Sequence, residues 1–308
     1  MRALLPDDLA LFERGWLSSN NVLLHGGEGE NATLIDSGHV AHAEQTLALV
    51  RNALRPGQTL ARVVNTHLHS DHCGGNAALA RAFGARIVIP PGDADAVAAW
   101  DEYRLTYHLT QQRIERFAFD ALLRPGESLR VGARLWQAHA AAGHDPHSLV
   151  LFEARGGVLI SADALWENGF GVVFPELDGT AAFGEVAATL DLIESLAPQV
   201  VIPGHGAPFS DLAGALQRAR SRLARFRAEP VSHARHGIKA LTKYHLLEVG
   251  SEPLAALRRW FDTTPIVGQV WQRVGQPEGS PTAWGERLLT ELVAGSVLKV
   301  RDGVVHNA

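Results

Sequence analysis

The residues best suited to chemistry lie together in the segment NTHLHSDHCGG, residues 65–75. His67, His69, Asp71 and His72 fall within six positions, between an apolar run and a run of small residues. In an extended segment His67 and His69 point to the same side, whereas Asp71 and His72 project in different directions from the turn that follows. Imidazole and carboxylate groups bind zinc, iron or manganese, so this cluster predicts two ligand pairs for two neighbouring metal ions.

Three further candidate ligands follow apolar segments later in the chain. His144 comes directly after ARLWQAHAAAG, Asp163 ends GGVLISAD, and His205 lies at the end of QVVIPGHG. Each stands beside small residues, where a loop can bring a side chain to a site shared with other strand ends. A pair of metal ions needs more than four protein ligands, and these three residues are predicted to supply the rest.

The predicted elements place these residues at strand ends. Two sets of strands are predicted from apolar runs: first NNVLLHG, NATLIDSG, LARVVNT and RIVIP, then ESLRVG, ARLWQAH, HSLVLFEA, GGVLISAD and QVVIPG. Helices are predicted between several of these strands, and also over residues 93–122 and 211–228. Near-continuous apolar strands that alternate with helices indicate an α/β fold whose sheets are covered by helices.

The last part of the chain, residues 233–308, has a different pattern. Three helices are predicted, in ARHGIKALTKYHLLEV, EPLAALRRWF and TAWGERLLTELVAG, with a Gly/Pro-rich connection before the third. Asp302 and Gly303 between two β-branched runs predict a terminal hairpin. This order is that of a winged helix. We therefore expect a catalytic domain over residues 1–230 and a small helical, winged-helix-like domain over residues 231–308.

The motifs of this chain resemble those of the metallo-β-lactamase superfamily of metal-dependent hydrolases. Residues 16–210 carry them in the expected order: LIDSG, THLHSDH, GHDPHS, SAD and PGHG. The resemblance implies a four-layer αβ/βα sandwich with the metal site at one edge, between two sheets. It also implies a structural role for Asp36 of LIDSG, which is not counted as a ligand.

Carried over position by position, the resemblance assigns two metal sites. The first ion would be held by His67, His69 and His144, the second by Asp71, His72 and His205, and Asp163 would bridge both. Asp163 and Asp71 are also the implied catalytic residues, because they hold and orient a metal-bridged hydroxide that attacks the substrate. Two divalent ions are the implied cofactors. Zinc is favoured, with iron and manganese as alternatives.

The segment ALWENGFGVVFPEL, directly after Asp163, is expected to form a wall of the substrate pocket. Trp166, Phe170 and Phe174 offer apolar surface there, and Asn168 is a polar group beside them. Core packing is the alternative role for each aromatic residue.

The third motif departs from the GHTPGS that is common in the family. Asp145 and His147 stand in the changed positions, where they either orient His144 or contact substrate. A solvent-facing turn is the alternative for both. Cys73 follows His72 directly and is expected to be a small buried side chain.

Three functions remain open on these residues. The favoured one is hydrolysis of a small thioester, ester or lactone. The second is a metal-dependent endoribonuclease or phosphodiesterase, which the winged-helix-like segment and the ten Lys/Arg against three Asp/Glu between residues 215 and 260 support. The third is an iron-dependent enzyme that resembles the persulfide dioxygenases. Asp163 stands where one lactamase branch has cysteine, which argues against antibiotic hydrolysis.

The composition limits which binding partners and which cellular location are expected. The formal net charge of -5 argues against nucleic acid as the main partner, so a small-molecule substrate is expected. No apolar run approaches the roughly 18 residues of a membrane span. The N-terminus, MRALLPDDLALFERGW, has acidic residues where a signal peptide has its apolar region, and one cysteine cannot form an internal disulfide. A cytoplasmic protein is expected.

Overall fold

A six-stranded sheet forms the first half of the fold. The computed structural model describes residues 5–308. The strands lie in the order in which they occur along the chain: β1 Leu9–Phe12, β2 Asn21–Leu24, β3 Ala32–Ile35, β4 Leu60–Val64, β5 Arg86–Ile89 and β6 Ala121–Leu122. The first three pair antiparallel and the last four pair parallel, so β3 belongs to both parts.

A five-stranded sheet forms the second half. Its strands are β7 Ser128–Val131, β8 Arg134–Ala140, β9 Leu149–Glu153, β10 Val158–Ala162 and β11 Val200–Pro203. They lie in the order β11-β10-β9-β8-β7, with β10 and β11 parallel and the other pairs antiparallel. Every residue of β10 and β11 is buried, as expected for strands covered on both faces.

The two sheets pack face to face through a shared apolar core. This core joins Ile35 and Val64 of the first sheet to Trp136, Ile160 and Ile202 of the second. Trp136 has no exposed surface, and a side chain of this size dominates the packing between the sheets.

Helices cover the outer face of each sheet. The helices beside the first sheet are α1 Ala43–Ala53, α2 Ser70–Cys73, α3 Asn76–Phe83, α4 Ala94–Ala99 and α5 Tyr107–Thr110, with 3-10 turns at Val40–His42 and Pro91–Asp93. Those beside the second sheet are α7 Phe183–Leu196 and α8 Leu212–Ala228, whereas α6 Phe174–Asp178 packs against the C-terminal helices. Each set has its own apolar cluster against its sheet, so the layer order is helix, sheet, sheet, helix. The predicted four-layer sandwich is confirmed.

The C-terminal region is helical and ends in a small sheet. Its helices are α9 Pro230–Val249, α10 Leu254–Thr263, α11 Pro265–Arg273 and α12 Pro281–Ala294, with a 3-10 turn at Pro277–Gly279. The third sheet contains β12 Ser251–Pro253, β13 Leu298–Arg301 and β14 Val304–Asn307 in the order β12-β14-β13. The hairpin predicted at Asp302 and Gly303 is confirmed, with β13 and β14 antiparallel. The predicted boundary after residue 230 falls at the first residue of α9, and both it and the winged-helix label stay predictions.

Two predicted features of the secondary structure are wrong. The long helix expected over residues 93–122 is broken into α4 and α5, because Trp100, Thr106 and Gln111 adopt left-handed backbone conformations. The Gly/Pro-rich connection before the last helix contains α11, whose first residue, Pro265, suits the first turn of a helix. The N-terminal strand β1 was also not predicted.

The C-terminal helices pack directly on the sandwich. Leu177 of α6 belongs to the same apolar cluster as Ile238 and Leu241 of α9. Between α5 and the start of α11, Thr264 Oγ1 donates a hydrogen bond to Gln111 Oε1 at 3.1 Å. No helix of residues 5–308 is long and apolar enough to cross a membrane.

Candidate metal centre

The predicted ligands meet where several strands end at one edge of the sandwich. The segment after β4 carries His67 and His69 and leads into the short helix α2, which carries Asp71 and His72. The loops after β8, β10 and β11 carry the three remaining predicted ligands, namely His144, Asp163 and His205. Parallel strands β10 and β11 bring the last two to the same sheet edge.

The seven predicted ligand residues form two groups in space. The ligand atoms within each group lie within 4.8 Å of one another, and every member is buried. The first group is His67, His69 and His144, and the second is Asp71, His72, Asp163 and His205. These are the seven residues that the sequence predicts as ligands, and that role stays a prediction; Asp163, which was predicted to bridge both ions, falls in the second group.

Asp163 faces both groups. Its Oδ1 lies 3.4 Å from Nε2 of His72, and its Oδ2 lies 3.5 Å from Nε2 of His144 and 3.8 Å from Nε2 of His205. Asp163 therefore lies between the two groups, and its role as a bridge stays a prediction. Gly204 makes this position available, since a Cβ there would overlap Oδ1 of Asp163.

Hydrogen bonds from a second layer fix how three of the imidazoles face the centre. Nδ1 of His72 donates to Oδ2 of Asp36 at 2.8 Å, and Nδ1 of His144 donates to the carbonyl of Val172 at 2.6 Å. Nδ1 of His67 lies 3.1 Å from Oγ1 of Thr66, which itself donates to Asp36. Each ring therefore presents Nε2 inward, the arrangement that orients metal-binding histidines.

The donor set fits metal ions. Nε2 of His67 and Nε2 of His72 are buried and have no hydrogen-bond partner among residues 5–308. An unsatisfied buried polar atom costs about 1–3 kcal/mol, so two of them aimed into one centre indicate groups that accept a ligand. Nitrogen and carboxylate oxygen donors suit zinc, iron and manganese.

Electrostatics within the centre favour bound cations. Burial and the neighbouring imidazoles lower the pKa of His67 well below its usual range, and burial lowers the pKa of His69 to about 3. Both rings are therefore neutral and keep a lone pair. Burial acts to lower the pKa of His72 as well, but the carboxylates of Asp36, Asp71 and Asp163 outweigh it and raise that pKa. A proton and a metal ion compete for Nε2 of His72.

The residues of the altered third motif lie beside the centre rather than in it. Oδ2 of Asp145 is 3.9 Å from Nε2 of His69, and burial, with the charge of Asp93, raises the pKa of Asp145 to about 7. His147 is partly exposed and lies 3.9 Å from Asp93. Cys73 is buried, as predicted, and burial raises its pKa.

A cavity of about 440 Å³ opens from the metal centre. Of the residues predicted to contact substrate, Trp166, Asn168 and Phe174 line it. Phe170 and His147 were also predicted to contact substrate, but they are not among the described residues that line the cavity. Phe170 is 2% exposed and packs against Phe226 in the apolar cluster under α8.

Sequence reasoning missed several residues that shape this cavity. The ring of Trp16 stacks on His205 with centroids 5.2 Å apart and contacts Trp166 edge-on at 5.4 Å. Tyr244 of α9 places its hydroxyl 3.1 Å from Nε2 of His205. Trp16 lies in an N-terminal loop and Tyr244 is 39 positions beyond His205, so no local pattern marks either of them.

Comparison with known proteins identifies the family. The family model described as "Metallo-beta-lactamase superfamily" matches residues 14–205. A hydroxyacylglutathione hydrolase of Anaeromyxobacter dehalogenans (strain 2CP-C) is 27% identical over 266 residues, which cover 80% of this chain and 90% of that protein. An atrochrysone carboxyl ACP thioesterase of Passalora fulva is 22% identical over 293 residues, covering 90% of this chain and 78% of that protein.

Solved structures show the same fold over nearly the whole chain. A metallo-beta-lactamase family protein from Thermus thermophilus superposes with a TM-score of 0.57 and 20% identity. The match covers 99% of this chain and 100% of that one, so the similarity of fold extends through the C-terminal helices.

Proposed function

Because the chain belongs to the metallo-β-lactamase superfamily of hydrolases, we propose that it hydrolyses a small acyl thioester with the help of two divalent metal ions, for which zinc is favoured. The observation that carries this proposal is the position of the seven-residue centre at the base of a largely apolar cavity. Two relatives that match most of this chain are named for the release of an acyl group from a thiol carrier.

Each group of ligands would hold one ion. The three histidines of the first group offer neutral nitrogen donors, and the second group adds the two carboxylates of Asp71 and Asp163. Bound there, the ions would supply Lewis acidity for the thioester carbonyl and for a water molecule. Asp163 is the proposed bridge, because its two oxygens face different groups.

The chain's own groups then handle the proton and the substrate. Burial alone would raise the pKa of Asp163, but His205 and His72 hold it well below its usual range, so this carboxylate stays ionised and can orient a water. Asp71 accepts a hydrogen bond from the hydroxyl of Tyr244 at 3.4 Å. Leaving-group charge develops on sulfur in thioester cleavage, and a thiolate needs no general acid at neutral pH.

The cavity suits an acyl chain better than a nucleic acid. Its walls include Phe174, Val172 and Leu241, and it is closed on one side by α9. An apolar wall beside a reactive centre binds an apolar substituent and positions the carbonyl. The endoribonuclease and iron dioxygenase alternatives gain no specific support from these contacts. The cytoplasmic location stays a prediction.

A substrate panel with metal analysis tests the proposal. The protein is purified without chelator, its metal content is measured, and thioesters, lactones and a phosphodiester are compared as substrates. We expect about two ions per chain and the highest kcat/KM for a thioester, lost on chelation and restored by zinc. A phosphodiester as the best substrate would contradict the proposal, as would full thioesterase activity in protein that is free of metal.

A further inference from the structure

The cavity at the metal centre meets a second, more open space between α8 and α9. Arg222 and His236 line the cavity. His236 also lines a neighbouring groove of about 700 Å³, together with Arg225, Arg235 and Lys239. His236 therefore marks the place where the two spaces join. We call Arg222, Arg225, Arg235 and Lys239, which surround His236, the cation cluster.

The positive charge of the cation cluster is only partly balanced. Arg222 and Arg225 have no carboxylate within 4.0 Å among residues 5–308. The Arg222 guanidinium reaches only the carbonyl of Phe170, at 3.4 Å, and Arg225 lies 5.3 Å from the ring centroid of Phe226. Unpaired guanidinium groups at the end of a substrate cavity indicate that the ligand brings negative charge.

The remaining cations compete for one carboxylate. Arg235 and Lys239 both pair with Glu291, and Arg287 approaches the same side chain at 3.8 Å. Glu229 also lines the groove, but two carboxylates cannot neutralise Arg225, Arg235, Lys239 and Arg287, so excess positive charge remains there.

Arg222 and His236, at the junction of the cavity and the groove, are both partly removed from water. Arg222 is largely removed from water, which lowers its pKa. Burial, followed by the charges of Arg222, Arg225 and Lys239, lowers the pKa of His236 to about 4. His236 is therefore neutral at pH 7, mainly because it is buried, and it adds no charge of its own to the cations around it. An anion bound there would relieve the repulsion between these cations.

We propose that the cation cluster binds phosphate, and that the substrate is an acyl thioester of a phosphopantetheinyl thiol. The inference rests on the proposed thioesterase function and specifies the thiol carrier. Tyr244 at the metal centre and Arg235 in the groove are nine positions apart on α9, a separation of about 14 Å along a helix. A thiol at the centre therefore reaches the far end of the cluster, at Arg235, only through a long arm, and pantetheine is such an arm.

The wall between the two ends matches this arm. Ala240 and Leu241 line the cavity on α9 between Tyr244 and the cluster. A mostly apolar linker can lie along them while its phosphate reaches the cations. Glutathione is shorter and has no phosphate, and its ammonium group offsets one of its two carboxylates.

Two natural sources share this chemistry, and binding of unacylated thiols distinguishes them. Coenzyme A, 4′-phosphopantetheine, pantetheine and glutathione are titrated calorimetrically into the metal-loaded protein, where none of them is turned over. We expect the two phosphorylated thiols to bind at least tenfold more tightly than pantetheine and glutathione. If 4′-phosphopantetheine and coenzyme A bind equally tightly, the phosphopantetheine arm of a carrier protein is sufficient for recognition. If coenzyme A binds more tightly, its additional phosphates are recognised as well. If pantetheine or glutathione binds as tightly as the two phosphorylated thiols, the proposal is wrong.

Variants locate the binding to the cluster. Arg225→Gln and Lys239→Gln should each reduce the ratio of coenzyme A affinity to pantetheine affinity at least fivefold. Arg220→Gln is the matched control, because Arg220 lies on the same helix but pairs with Asp191 and Glu194 on the surface. An unchanged ratio in both cluster variants would contradict the assignment.

A phosphate-free substrate separates this inference from the proposed function. Hydrolysis of acyl-pantetheine tests thioester cleavage alone. If acyl-pantetheine is cleaved but coenzyme A binds no better than pantetheine, the proposed phosphopantetheinyl carrier is wrong. The proposed thioesterase activity is then still supported. If coenzyme A binds tightly but no thioester is cleaved, the proposed function is wrong.

Discussion

The hydroxyl of Tyr244 lies 3.1 Å from Nε2 of His205 and brings the C-terminal region into the metal centre. His205 is the last residue matched by the family model, whereas Tyr244 lies in α9, beyond it. The same hydroxyl donates a hydrogen bond to Asp71, so one helix outside the matched region contacts two residues of the second ligand group.

Tyr244→Phe should weaken metal binding in the second group. Loss of a hydrogen bond that orients a metal ligand typically costs 10–100-fold in metal affinity. We expect a decrease of about tenfold for the more weakly bound ion, measured by competition with a chromophoric chelator. Tyr103→Phe is the control, because Tyr103 is 55% exposed. Equal affinities for the variant and the wild type would show that the hydroxyl does not position the ligands.

Asp163→Ala should affect both ions, because its oxygens face both groups. The expected loss of activity exceeds the ~100-fold that removal of an outer hydrogen-bond partner causes. Metal content should fall while the circular dichroism spectrum stays that of the wild type. Asp191→Ala, a surface change on α7, should alter neither. Two retained ions with wild-type turnover would contradict the assignment of Asp163 as a bridge.

Asp36→Asn should lower both stability and metal affinity. Asp36 accepts hydrogen bonds from the Thr66 amide, the Thr66 hydroxyl and Nδ1 of His72, all at 2.8 Å. Asparagine tolerates the left-handed backbone at this position, φ +56°, but has one acceptor oxygen instead of two. We expect the free energy of unfolding to fall by about 1.5–3 kcal/mol. Denaturant unfolding of the apo and metal-loaded protein separates the two effects, and unchanged values in both would refute this role.

The ligand set was predictable because each ligand is tied to a local pattern. His67 to His72 are neighbours in sequence, and Asp163 and His205 follow strands that are buried throughout. The end of a buried strand fixes where the next residue lies, so five short motifs were enough to identify the centre.

The walls of the cavity were only partly predictable: Trp166, Asn168 and Phe174 line it as expected, whereas other lining residues leave no local signal. Trp16 and Tyr244 reach the centre through tertiary packing, which leaves no periodic signal in the sequence. The helix predicted over residues 93–122 does not form, for a related reason. Tyr107 is buried and donates a hydrogen bond to the carbonyl of Leu68 at 2.7 Å, which holds this segment in a broken conformation beside the ligands. Tertiary contacts here outweigh local helix propensity.

The protein should lose stability in mild acid because some histidines are buried in the neutral state. Burial, followed by the charge of His236, lowers the pKa of His233 to about 4. Its ring is 2% exposed, contacts Phe183 and Phe226, and accepts a hydrogen bond from the Val173 amide at 3.2 Å. In the unfolded chain the pKa of histidine is about 6.5. Between these two values the unfolded state binds a proton that the folded state does not. The contribution of neutral His233 to the free energy of unfolding is therefore complete above pH 6.5, and it declines as the pH falls toward 4.

His233→Gln should make the stability less dependent on pH. Glutamine can accept the hydrogen bond from Val173 but does not titrate, so the variant lacks the proton uptake that favours unfolding in acid. For one histidine with these pKa values, the free energy of unfolding falls by about 2 kcal/mol from pH 7 to pH 5. Urea denaturation of both proteins across this range, with chelator present so that metal release contributes equally, measures the difference. The loss between pH 7 and pH 5 should be about 2 kcal/mol smaller in the variant, and the difference between the two proteins should stay constant from pH 7 to pH 8. Parallel curves from pH 7 to pH 5 would show that His233 is not held neutral by the fold.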